Sequence, residues 1–123
     1  MATWVDRGVG DHAVFLRPRD PLTAAQSDAI VAAATKHLGK PYDLAFGWSD
    51  ERMYCSELVY KAYAEGAGMT LTELRTHADY DLADRRAKAA AAKRYPSGLP
   101  EEPVVAPSDL MASEKLVEIG SVP

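Results

Sequence analysis

Cysteine is all but missing from this chain. Cys55 is the only one, which excludes an internal disulfide and argues against a thiolate-rich zinc site. Histidine is scarce as well: His12, His37 and His77 are well separated and come without convergent carboxylates, so no metal site and no cofactor is expected. Long apolar runs are also lacking. The opening stretch MATWVDRGVGDHAVFL breaks its apolar residues with acids and a histidine, so it does not read as a signal peptide. No later segment is long enough to span a bilayer, and the sequence as written is expected to be cytoplasmic. A basic stripe is missing too. The 14 Lys and Arg are interspersed among 18 Asp and Glu for a net charge of -4, which leaves nucleic-acid binding without electrostatic support.

What remains is an ordinary globular composition. At 47 % apolar and 26 % charged residues, 123 residues suffice for one domain with a core of its own, spanning residues 1–123. HAVFLR, from His12 to Arg17, is short, β-rich and closed by Pro18, and reads as a strand. Thr23 reads as the N-cap of a helix, with Gln26 at the third helical position completing a capping box. Ile30, Val31, Ala34 and Leu38 recur on one face of that helix, and Gly39 supplies its stop.

GKPYDLAFGWSDERMY, aromatic and broken by Gly and Pro, reads as an ordered loop. From Cys55 the period changes. Leu58, Val59, Ala62 and Tyr63 mark a second helix that Gly66 is expected to end, with the cysteine in its first turn. One or two further helices follow, the alanine-rich one capped by Asp81 and stopped before Pro96. SGLPEEPVVAPSD is a proline-rich connection, Ser108 a cap for a short helical turn, and KLVEIG a closing strand.

An unpaired cysteine is most often a small buried hydrophobe. The first turn of a helix offers another role, because free N–H groups and the positive end of the macrodipole favour the thiolate. The same N–H groups can hold the oxyanion of a tetrahedral intermediate. Residue type and position leave both readings of Cys55 open.

LGKPYD (Leu38 to Asp43) followed closely by YCSELVYKAY (Tyr54 to Tyr63) resembles the YiiX/YebB group of permuted papain-like proteins, within the wider NlpC/P60 superfamily. The similarity continues through WVDRG, RPRDPLT, WSDERMYCSELV and PVVAPSDL, nearly the whole chain. The resemblance implies an α+β, reduced papain-like fold with helices packed on a small antiparallel sheet. It makes this chain the C-terminal portion of the permuted domain. It also implies that Cys55 is the nucleophile of a thiol hydrolase acting on an amide or acyl bond, such as one in a cell-wall peptide.

In that family the catalytic histidine precedes the cysteine, on a strand of the Ser-His-Val-Gly-Ile kind, and this chain is expected to begin after it. By alignment His12 is a structural residue of a later segment. By chemistry it is the best base left in the chain. His37 at a helix end and His77 in a polar helical segment read as structural and as solvated. Glu57 in the first turn reads as a helix stabiliser, and Tyr42 and Asp43 as turn formers. The resemblance adds a substrate-side role for Tyr42, while Tyr54 and Trp48 are either groove-lining or core aromatics.

Two functions therefore stand side by side: a thiol hydrolase working through a Cys55 acyl-enzyme, and a truncated or degenerate relative that serves as a binding module. Sheet edges left open by loss of the family's N-terminal strands would favour a homodimer or a further segment that covers them.

Overall fold

A computed structural model describes residues 12–122. Strand β1, Ala13–Pro18, pairs antiparallel with the last strand, β4, Leu116–Val122. The register slips between Phe15 and Leu16, which face Gly120 and Glu118, so Ile119 is left unopposed as a bulge. A second antiparallel pair joins β2, Arg75–Thr76, to β3, Pro103–Val104. Among the described residues four α-helices accompany these strands: α1, Ala24–Thr35; α2, Cys55–Ala67; α3, Arg85–Arg94; and α4, Pro107–Met111. The class is α+β, as the resemblance implied, with the described strands in two small antiparallel sheets. The WVDRG stretch lies outside the described residues.

Helix α1 starts as its sequence dictates. Thr23 accepts from the Gln26 N–H at 3.1 Å, and the Gln26 side chain accepts from the Thr23 N–H at 2.9 Å, a reciprocal capping box. Its buried face differs from the expected one. Ile30 and Ala33 pack inward, whereas Val31 and Leu38 are exposed. Helix α1 ends at Thr35, and Leu38 lies in the turn that Gly39, at φ 80°, closes.

The expected stop at Gly66 is also corrected. Helix α2 runs through it to Ala67, and Gly68 at φ 62° forms the left-handed cap. Gly66 serves the packing instead. A Cβ there would lie 2.5 Å from the Ile30 Cα, so its bare backbone is what lets α1 and α2 touch. Ile30, Ala33 and Ala62 fill that contact, with Leu22 and Tyr63 at its margins. The larger core gathers Tyr54, Leu71, Val104, Val105 and Leu110.

Two local expectations fail for lack of tertiary information. Asp84, not Asp81, caps α3, accepting from the Arg86 and Ala87 N–H groups at 2.8 and 3.0 Å. Ala106 stands at the N-cap of α4, so Ser108 lies inside that helix.

Candidate active site

Cys55 is the first residue of α2, and its side chain is exposed. The buried-hydrophobe reading is therefore excluded. Tyr54, the N-cap residue, makes no capping hydrogen bond to the first turn, which leaves N–H groups of that turn open to a ligand. The Tyr54 ring instead goes into the core, 2 % exposed, edge-on to Phe46 at 5.3 Å. Its hydroxyl accepts from the Val105 N–H at 3.2 Å, and burial raises its pKa far above the ordinary phenol range. Ser56 donates to the Val105 carbonyl at 2.7 Å. Residues 54 and 56 at the helix start are thus pinned to one strand end some fifty positions away, and Cys55 between them is fixed in direction.

Glu57 supports the same turn from below. It is wholly buried, accepts from the Tyr54 N–H at 3.3 Å through Oε2, and meets Lys61 Nζ at 2.8 Å through Oε1. That second contact is one of ion-pair distance and not a well-aimed hydrogen bond. Burial alone would lower the Lys61 pKa, yet the Glu57 and Asp50 carboxylates outweigh it and the pKa is raised. Lys61 also donates to the Ser49 carbonyl at 3.0 Å and lies over the Trp48 ring at 4.7 Å. Trp48 stacks edge-on with Tyr60 in this cluster and lines neither of the cavities that meet at Cys55.

The loop before α2 carries the second face of the site. Met53 pairs with Tyr42 in a short parallel bridge, which brings Tyr42 beside the helix start. The Tyr42 hydroxyl donates to Cys55 Sγ at 3.8 Å. Burial, followed by the adjacent sulfur, raises the Tyr42 pKa, so it is a protonated donor at neutral pH. Asp43 is buried and accepts from the Ala45 and Gly47 N–H groups, both at 2.8 Å. This Asx arrangement clamps Phe46, which takes the left-handed φ of 53° rarely seen in a bulky residue.

Two cavities meet at the sulfur. One, about 350 Å³, opens on the Tyr42 side and is walled by apolar side chains that include Phe46, Leu82, Leu99 and Val104. The other, about 480 Å³, is a groove running from His12 and Val14 of the β1 region past Val59 to Met111. His12 is exposed and shares this groove with Cys55, while the hydrogen bond to the sulfur comes from Tyr42.

His77 is corrected from solvated to buried. The polar segment around it forms β2 and one 3-10 turn, His77–Asp79, and the ring faces inward against Tyr95. Its Nε2 lies 3.1 Å from the Tyr95 hydroxyl, which donates to the Ala45 carbonyl at 2.7 Å. Nδ1 is buried and has no hydrogen-bond partner among the described residues. Burial lowers the His77 pKa, opposed by the Pro100 carbonyl and by Glu102. Sequence reasoning missed this residue because only the fold brings position 95 beside it.

The pattern of the family described as "permuted papain-like amidase enzyme, YaeF/YiiX, C92 family" matches residues 1–120. The chain belongs to that family. Two relatives support the same assignment. The YiiX protein of Escherichia coli strain K12 is 34 % identical over 120 residues, 97 % of this chain and 59 % of that protein. The present chain thus spans about three-fifths of the curated relative. A crystal structure described as metalloprotein YiiX from Escherichia coli O157:H7 is similar at a TM-score of 0.89 and 33 % identity, covering 98 % of this chain and 67 % of that one. YaeF/YiiX membership thus agrees with the GKPYD and YCSELV pairing that the fold sets side by side.

Proposed function

We propose that this protein is a thiol hydrolase that cleaves an amide or acyl bond through an acyl-enzyme at Cys55. The observation that carries the reading is the exposed cysteine at the first position of α2, set between two cavities with the Tyr42 hydroxyl aimed at its sulfur. Membership of an amidase family supports it.

In the reaction, Cys55 Sγ attacks the carbonyl carbon and the carbonyl oxygen becomes an oxyanion. First-turn N–H groups of α2 and the Tyr42 hydroxyl are the donors available to it. His12, across the groove, takes the thiol proton and returns it to the leaving amine as the C–N bond breaks. Water then hydrolyses the thioester and restores the thiol. No step is routed through a metal: although the Escherichia coli structure is described as a metalloprotein, no three His, Cys, Asp or Glu side chains converge among the described residues.

Intact-mass measurement during incubation with a panel of N-acyl nitroanilides tests the reading. An acyl adduct on Cys55 is expected, absent in Cys55→Ala, with hydrolysis reduced at least ~100-fold in His12→Ala. The second reading, a binding module, is favoured by one observation: the sulfur's hydrogen-bond partner is a tyrosine and not a histidine. Ligand binding without any adduct or hydrolysis would decide for it.

A further inference from the structure

The chain-wide balance of charge hides one local exception. Helix α3 reads RRAKAAAAKR, so five of the 14 basic residues and none of the 18 acids lie on its ten positions. The other nine basic residues stand against all 18 acids, and the acidic character of the chain lies entirely outside this helix. Only Ala87 and Ala91 turn inward, both half-buried, and the remaining eight residues of α3 are exposed. At about 100° per residue, Arg85, Arg86 and Lys93 project from the side opposite those alanines, with Lys88 and Arg94 on the two flanks. None of the five is in an ion pair among the described residues. Of the flanking acids, Asp81 accepts from the Ala83 N–H, Asp84 caps the helix, and Glu102 accepts from the Trp48 N–H, while Glu101 is exposed.

A merely solvated helix has no reason to be charged in this way. Arg85 and Arg86 occupy the first turn, where the positive end of the macrodipole disfavours cations. Arg85 and Lys88 are like charges one turn apart, with no acid on the helix to pair with either. The pattern weakens the helix and makes a dense positive face. A second feature stands at the end of that face. Tyr95, the C-cap of α3, donates to the Ala45 carbonyl at 2.7 Å, and the Arg94 guanidinium lies over the Phe46 ring at 4.7 Å. The helix is thereby tied to the loop of residues 42–46, on which Leu44 is 70 % exposed. Positive charge and a bare leucine share one rim of the site that holds Tyr42 and Cys55.

We propose that α3 is the docking face for an anionic lipid bilayer, with its cations on the headgroups and Leu44 entering the boundary beneath them. Charge complementarity selects a negative surface, and the chemistry between the charges selects lipid over nucleic acid. Between its cations α3 offers only alanine, with no amide or hydroxyl side chain to read a base edge. An exposed leucine beside the cations gains an apolar layer only at a membrane. At physiological ionic strength a charge is felt over about 8 Å, so a surface meeting α3 face-on senses the helix before the acids behind it. Docking stands whether or not Cys55 is a nucleophile. If it is one, a bilayer on α3 lies against the rim from which substrate reaches the thiol.

Co-sedimentation of the whole chain with vesicles tests this. Phosphatidylcholine vesicles with about 30 % phosphatidylserine should carry the protein down at about 50 mM salt, and pure phosphatidylcholine vesicles should not. Each cation at the surface is expected to contribute about five-fold to partitioning, the equivalent of ~1 kcal/mol. Arg85→Gln with Lys93→Gln should therefore lose roughly 25-fold. Arg17→Gln with Lys36→Gln, the same change of net charge on other exposed cations, should lose less than about two-fold. Leu44→Ser should lose roughly ten-fold and keep the salt dependence. All of these positions are exposed, and circular dichroism checks that each variant is folded. Equal losses in the two charge pairs, or no sedimentation with the anionic vesicles, overturns the proposal. So does tighter binding to duplex DNA or RNA at equal phosphate concentration that Leu44→Ser leaves unchanged, which would reassign the face to nucleic acid.

Discussion

Replacing Gly66 by alanine sets two physical effects against each other, and the structure decides the sign. In a helix interior Ala is favoured over Gly by about 1 kcal/mol, so propensity alone predicts stabilisation. A Cβ at position 66, however, would lie 2.5 Å from Ile30 Cα and 2.7 Å from the Ala29 carbonyl carbon, with the Ile30 nitrogen nearer still. Carbon atoms prefer roughly 3.5–4.0 Å, so α1 and α2 must part by about 1 Å. Every atom met is backbone, and no rotamer change relieves the contact. Overpacking of this kind costs about 3 kcal/mol or more, since it also loosens Ile30, Ala33 and Ala62.

The net expectation for Gly66→Ala is a loss of about 2 kcal/mol, the clash exceeding the propensity gain. For a chain of this size that is a fall in Tm of roughly 8 °C. Urea and thermal unfolding measure it directly. Trimming Ile30 to alanine in the same chain should not rescue the loss, because the obstacle is the Ile30 main chain and not its side chain. A Tm unchanged or raised in Gly66→Ala would refute the reasoning, and rescue by Ile30→Ala would move the clash to the side chain.

Lys61→Met leaves the buried Glu57 carboxylate without its counter-charge and is expected to cost about 3–5 kcal/mol in urea unfolding, with much of the loss recovered in the Glu57→Gln, Lys61→Met double variant. His77 has its pKa lowered in the folded protein, so its contribution is complete above the unfolded value of about 6.5 and is lost as pH falls through the folded value. Stability measured from about pH 7.5 to 5 should therefore decline on the acid side, and His77→Gln should flatten that part of the curve; an unchanged slope would remove His77 as its source.

Elements set by local chemistry were legible in the sequence. The Thr23 and Gln26 box, the β-rich run after His12 and the period change at Cys55 all involve residues within a few positions of one another, and each stands where expected. The failures share a cause. Gly66 reads as a stop until α1 is known to press on it, and His77 reads as solvated until Tyr95 closes over it. The faces of α1 were misassigned because its alanines make several stripes equally eligible, and only the partner helix selects Ile30 with Ala33.

The support of the nucleophile carries this further. Cys55 announces itself through its position on a helix, but what fixes its direction lies in the VVAP turn, where Val105 accepts from Ser56 and donates to Tyr54. That turn is itself held by the buried Asp109, which accepts from the Ala106 N–H at 2.7 Å and from the Tyr80 hydroxyl, with Arg75 at 3.4 Å. The sulfur is thus oriented through a chain of hydrogen bonds that ends in an acid more than fifty residues later. A proline-rich connection, on its own sequence a mere linker, becomes the wall of the site because its backbone groups are the partners that α2 lacks. The length of chain between helix α2 and the VVAP turn contributes to the apolar cavity beside the thiol, with Leu82, Ala91 and Leu99 all drawn from it.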